Sequence, residues 1–245
     1  MEEELKPIET QEVRMGFVSR ISGIFFEPRK VFNYLNFKPT WFLALILIVV
    51  IGVIVAEITL PQNLLLQKEL VSQSTRIASA PEVLEKMADV TTGKRITAAI
   101  STPIVAFIWL LILTSVVYFF CNIILGGESS YKKLLSIVTY TFFIPALGSI
   151  LKTPLILAKN SADVQTSLAI LMAGDYNKIR HMLLSALDIF SIWQLILIAL
   201  GITVLYKFSS TKAFIAAFVG WLILVILGTG LGILGMSVSG IPVTW

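Results

Sequence analysis

Cysteine, histidine and charge are all scarce in this 245-residue chain, which has one cysteine, one histidine and only 14% Asp, Glu, Lys and Arg. Each shortage removes a class of function. A single cysteine allows no intramolecular disulfide and no cysteine metal site. Cys121 lies in an apolar run and reads as a small buried hydrophobe. A single histidine excludes an HExxH zinc protease, which needs two. His181 follows Lys178 and Arg180, a polar setting that suits a surface residue rather than half of a Ser–His dyad. No glycine-rich phosphate loop and no acidic cluster with metal spacing is present. No cofactor, no metal and no catalysis are therefore expected. The net charge of +4 comes from basic residues that flank apolar runs and form no stripe, so nucleic acid is not an expected partner.

What is abundant is hydrophobicity. Apolar residues make up 56% of the chain and the mean hydropathy is +0.87, whereas soluble domains run at about 45–50% apolar and about 25% charged. A spanning helix needs about 20 apolar residues. Five runs meet or approach that length: 41–60, 101–125, 134–151, 189–206 and 213–236. They lack the period-two alternation of barrel strands, so helices must satisfy their backbone groups within lipid. The expected fold is all-α, a polytopic helical bundle in the membrane. Residues 1–40 form a separate amphipathic segment and 41–245 the five-span domain.

Local chemistry marks the boundaries. Gly126 and Gly127 suit a helix C-terminus, and Ser129 or Ser130 can cap the third helix. Pro103 is expected in the first turn of the second helix. Pro145 lies mid-span and should break the third. In the outer loops, Ser79 and Glu82 have capping-box spacing. Ile179, Leu183, Leu184 and Leu187 share one helical face.

Lys6, Arg14, Arg20, Arg29, Lys30 and Lys38 crowd the first forty residues. Lys132, Lys133, Lys207 and Lys212 flank the two short loops, and the tail from Ser237 has no basic residue. The positive-inside rule then places the N-terminus in the cytoplasm and the tail outside. No signal peptide is expected, because the first forty residues lack an apolar core followed by a small-residue cleavage site.

The stretch GIFFEPRKVFNYLNFKPTWF, 23–42, is too charged to span and too apolar for a soluble tail. Val13, Phe17, Ile21 and Ile24 make one stripe. A second short helix starts at Pro28, with Val31, Phe32 and Leu35 on one face. The segment is expected to lie in the interface, anchored by Phe25, Phe26, Arg29, Lys30, Phe32 and Trp41. Packing against the spans as a lid is the other reading.

Inside the runs, Glu57 is the one acid and a functional candidate by default. It lies near the end of its span, where Lys94 or Arg95 can pair with it. Thr114, Asn122 and Gln194 suit interhelical hydrogen bonds. Ala216, Gly220, Gly228 and Gly232 repeat at multiples of four, a small-residue face for close packing. The fourth span is the expected partner of that face, and a second copy of the chain is the rival.

With these residues in view, the chain resembles the YIP (Ypt-interacting protein domain) family of multi-pass membrane proteins, in the form of its prokaryotic members. The resemblance rests on the 23–42 stretch, on LGGESSYKKLLSIVTYTFFIPALGSIL and on DIFSIWQLILIALGITVLYKFSSTKAFIAAFVGWLIL, and it covers about residues 20–236. In eukaryotic members it implies vesicle traffic between ER and Golgi and contact with Rab-type GTPases. Their third span carries Gly-Tyr followed by proline. Here Thr139 replaces the glycine, while Tyr140 and Pro145 match. Their Asp-Leu-Tyr-Gly-Pro motif is echoed only by Tyr34 and Pro39.

The reading is an integral membrane scaffold or organiser of that type, working without catalysis in a prokaryotic inner membrane. Its expected partners are the lipid bilayer and other membrane proteins, with a homo-oligomer as a further candidate. The alternative is a small transporter or channel subunit, with Glu57, Pro145 and the fifth-span glycines lining a path.

Overall fold

The computed structural model describes residues 15–72, 81–162, 164, 166–172 and 178–238. Val13 and Ser79 lie outside them. Two short helices come first, α1 (Phe17–Phe26) and α2 (Pro28–Phe37), followed by α3 (Phe42–Ser72), α4 (Pro81–Ala88) and α5 (Thr92–Phe119). A π turn at Phe120–Ile124 ends α5. Then come α6 (Tyr131–Thr141), α7 (Phe143–Lys159), α8 (Lys178–Ser185), α9 (Ile189–Tyr206) and α10 (Ser210–Val238).

Five helical stretches are long and apolar enough to cross a membrane: Phe42–Glu69, Thr92–Ile124, Tyr131–Lys159, Ile189–Tyr206 and Ser210–Gly235. The fold is the all-α bundle that the apolar runs predict. Three helices outrun those runs. α3 continues through Pro61 to Ser72. Its 31 residues span about 46 Å at about 1.5 Å each, more than the hydrocarbon core. α5 starts at Thr92, where the Thr91 hydroxyl accepts from the Lys94 N–H at 3.3 Å. Pro103 therefore sits in the helix interior rather than the first turn. The polar residues Lys94 and Arg95 read as loop, but a helix end beyond the hydrocarbon tolerates them. α7 runs on through Pro154 to Lys159 and stops at Asn160, whose φ of 47° ends it in the left-handed region.

The third stretch breaks where a proline predicts. Pro145 has no N–H for the Thr141 carbonyl and crowds it, and the helix is interrupted at Phe142. Gln194 on α9 reaches across the seam, its Nε2 donating to Thr141 Oγ1 at 3.4 Å. This is the interhelical use expected of Gln194. Thr114 instead donates to the Leu110 carbonyl of its own helix at 2.8 Å, and Asn122 Nδ2 donates to the loop carbonyl of Ser129 at 3.1 Å.

The α6–α7 stretch is the centre of the bundle. Leu134 to Thr141 are all buried, and α6 packs against α2, α3, α5 and α9. Gly201 on α9 permits the closest approach. A Cβ there would collide with Ile137 Cγ2 on α6.

The small face of α10 is used differently from the sequence expectation. α10 packs along both α9 and α5, and two of its glycines, Gly220 and Gly228, face α5. A Cβ on Gly220 would meet Val117 Cγ2 at 2.6 Å, and one on Gly228 would lie 3.6 Å from the Trp109 ring. Ala216 is fully buried and Gly232 half-buried.

Candidate functional site: a buried arginine where the N-terminal hairpin meets the bundle

The N-terminal segment forms a hairpin seated in the bundle. Gly23 lets the two helices touch, since a Cβ there would stand 2.7 Å from Val31 Cγ2. Ile24, Val31, Phe32 and Leu35 are completely buried, and α2 packs against α6 and α9. Phe25 meets the edge of Trp193 with ring centroids 6.0 Å apart. Of the aromatics expected to face lipid, Phe32 faces protein instead. Phe26 remains 84% exposed. Arg29 is exposed, and Lys30 pairs with Glu27 at 3.0 Å on the surface.

Within this docked hairpin lies a cation that the apolar stripe and the charge count do not single out. Arg20 is 8% exposed and has no carboxylate partner among the described residues. Its Nε–H donates to the Gly16 carbonyl at 3.4 Å, and Nη1 donates to the Thr40 hydroxyl. Its guanidinium sits 5.6 Å from the Phe17 ring centroid, 5.3 Å from Tyr34 and 5.8 Å from Tyr140. Such contacts are worth about 0.5–2 kcal/mol each, while a buried ion loses several kcal/mol of hydration. The rings soften the cost of burial but do not neutralise the charge. A signal is nevertheless present in the chain, because Arg20 falls between Phe17 and Ile24 on the apolar stripe instead of opposite it.

Arg20 opens onto a cavity of about 350 Å³, whose walls include Thr40, Trp41, Phe42, Lys132 and Tyr140. Tyr140 is 1% exposed, and its hydroxyl adjoins Thr40 and the guanidinium. Tyr140 and Trp41, singled out separately, thus come together here, and Lys132 adds a second cation. Pro145 does not line this cavity. It acts through the break that separates α6 from α7.

The other candidates have different partners. Glu57 pairs with Arg95 at 3.0 Å, one of the two bases expected. Lys94 instead donates from Nζ to the carbonyls of Lys86, Met87 and Asp89, closing the end of α4. His181 falls on α8. A further ion pair is not anticipated by the sequence. Lys152 Nζ meets Asp188 Oδ2 at 2.8 Å, the Thr166 hydroxyl also donates to that oxygen, and the Phe190 N–H donates to Oδ1 at 2.8 Å. Burial alone would raise the Asp188 carboxyl. The hydrogen bonds from Lys152, Thr166 and Phe190, with the Lys152 charge, outweigh it and hold the group below its ordinary value. Asp188 stands at the N-cap of α9, a position legible from its place before the apolar run.

The chain is similar to known sequences over most of its length. The family model described as the Yip1 domain matches residues 22–232. A protein of Bacillus subtilis (strain 168) named membrane protein YknW is 28% identical over 226 residues, covering 89% of this chain and 91% of that one. No solved structure matches.

Proposed function

The chain belongs to the Yip1 domain family, and from that premise we propose that it is a non-enzymatic organiser in the membrane, holding other membrane proteins or lipids through its N-terminal hairpin. The observation that carries this reading is the two-sided character of the hairpin. One face is fixed in the bundle by fully buried Ile24, Val31, Phe32 and Leu35, while Val18, Phe26 and Phe37 stand 76%, 84% and 80% exposed. A flexible amphipathic tail would not need that inner face, whereas a fixed one holds its outer aromatics in a defined geometry at low entropic cost. The N-terminus is on the cytoplasmic side of a prokaryotic inner membrane, where the positive-inside rule directs it.

The test is photo-crosslinking in native membranes from position 26 or 37, followed by mild-detergent purification and mass spectrometry. A membrane protein recurrently captured from these positions, and lost in Phe26→Glu with the bundle still folded, supports the organiser reading. Self-crosslinks through α10 alone would replace it with a homo-oligomer. A transporter subunit is the second reading, supported by the polar seam between α9 and α6–α7 (Gln194 with Thr141, Asp188 with Lys152). Flux across proteoliposomes that is abolished by Asp188→Asn would favour it.

A further inference from the structure

We propose that the Arg20 cavity binds the phosphate of one anionic phospholipid, with the lipid's acyl chains running down the exposed face of α3. Four observations carry this.

The first is an unbalanced charge. Arg20 is nine-tenths buried, and Lys132 lines the same cavity. Neither is paired with a carboxylate among the described residues. A guanidinium has five N–H donors. The Gly16 carbonyl and the Thr40 hydroxyl take one each, which leaves donors for a further acceptor. Arginine's planar fork matches phosphate oxygens, and lysine adds a point charge.

The second is size. The cavity, at about 350 Å³, is far larger than the roughly 30 Å³ share of one water. It falls at the lower end of ligand pockets, at about 300–1,000 Å³, which suits a headgroup better than a whole drug-sized molecule.

The third is polarity. The hydroxyls of Thr40 and Tyr140 line the cavity, and among the described residues no acidic one does. The Phe17, Tyr34 and Tyr140 rings already face the guanidinium. A choline or ethanolamine ammonium would find no carboxylate among these residues and would sit beside the like charges of Arg20 and Lys132. The site therefore favours a headgroup with net negative charge over a zwitterionic one.

The fourth separates a lipid from free phosphate. Phe42 and Leu43 line the cavity and are also 62% and 60% exposed. Ile46, Val50 and Ile54 continue that exposure along α3 at spacings of three and four residues. The mouth of the charged cavity is thus the top of a lipid-facing apolar stripe, a geometry that fits an amphiphile.

This inference rests on the chain's membrane setting and not on the docking role of the hairpin. A failed crosslinking experiment leaves it standing, and the reverse also holds.

The experiment uses the full chain purified from phosphatidylcholine nanodiscs doped with phosphatidylglycerol, with retained lipid counted by native mass spectrometry. The expected result is one retained phosphatidylglycerol and no retained phosphatidylcholine. Retention should fall at least tenfold in Arg20→Gln and severalfold in Lys132→Gln. It should not change in Lys207→Gln, an exposed lysine outside the cavity. If Arg20→Gln does not fold, Lys132→Gln carries the comparison, because that side chain is exposed and not needed for packing. Displacement of the lipid by inorganic phosphate at the same concentration would assign the site to free phosphate and overturn the lipid assignment. Equal retention in all four proteins would overturn the site.

Discussion

Gly201 is the point at which three helices leave no room, and filling it tests how the hairpin is seated. A methyl group there would collide with Ile137 Cγ2 on α6 and lie 3.7 Å from Phe32 Cε2 on α2. Gly201→Ala gains about 0.5–1 kcal/mol of helix propensity, whereas overpacking a core costs about 1–3 kcal/mol. Ile137 and Phe32 are both fully buried and cannot swing into solvent, so strain wins. Collision with a fully buried β-branched side chain places the strain in the upper half of that range, so the net loss is about 1–2.5 kcal/mol, or a fall of about 2–10 °C in Tm for a chain of this size. Ile137→Ala by itself empties a core position and costs about 2–5 kcal/mol, but it removes the colliding atom. The double variant should therefore lose less than the sum of the singles, with a coupling of about 1–2 kcal/mol. The assay can use the protein's own reporter, since Cys121 is the sole cysteine and is fully buried. The full chain is heated in detergent with a thiol-reactive fluorophore, and labelling reports unfolding. An additive double variant, or a Gly201→Ala protein that melts above wild type, would refute the close approach and the seating of α2 with it.

Three further outcomes are expected. Arg95→Gln or Glu57→Gln should each cost under about 1 kcal/mol, because Arg95 is half exposed and exposed pairs are weak. A loss of several kcal/mol on thermal unfolding would show that Glu57 does more than pair at a helix end. The depressed Asp188 carboxyl contributes stability that is fully present above its unfolded value of about 3.9 and disappears as pH falls through its lower folded value. Wild type should therefore lose Tm below about pH 4. Asp188→Asn should start about 1–3 kcal/mol less stable and lack that part of the acid limb, so identical acid profiles would contradict the assignment. Replacing Arg29, Lys30 and Lys38 with Glu should weaken or invert the orientation, as read by labelling of the tail and loops. Unchanged labelling would remove the hairpin from the topology argument.

The parts of this fold that are legible in the chain are those governed by one-dimensional physics. Hydrocarbon thickness fixes how long an apolar run must be, so the apolar runs alone are enough to count five spans. The lack of an N–H on Pro145 locates the break in the third span within a few residues. Helix ends are misread where that physics stops applying. Beyond the lipid, a helix obeys water's rules, so Lys94, Arg95 and Gln67 continue α5 and α3 where a hydropathy reading ends them. Partners are harder still. The glycines of α10 announce a close contact, but nothing local says whether α9 or α5 supplies it, and Val117 and Trp109 lie about a hundred residues away in the chain.

The same reasoning explains why Arg20 is easily overlooked among the basic residues. Counted as one charge among six, it supports topology. Placed on the stripe between Phe17 and Ile24, it must either snorkel or be buried. Thr40 and the rings of Tyr34 and Tyr140 receive it only because α2 folds back and α6 passes behind. A cation carried into the core on an apolar stripe has a cost that its fold partners do not fully offset, and an anion at the cavity would offset the remainder. The aromatic segment at 23–42 therefore has a role inside the bundle as well as on its surface. It closes one wall of the cavity and holds Arg20 at its edge, at the point where α3 begins its passage through lipid.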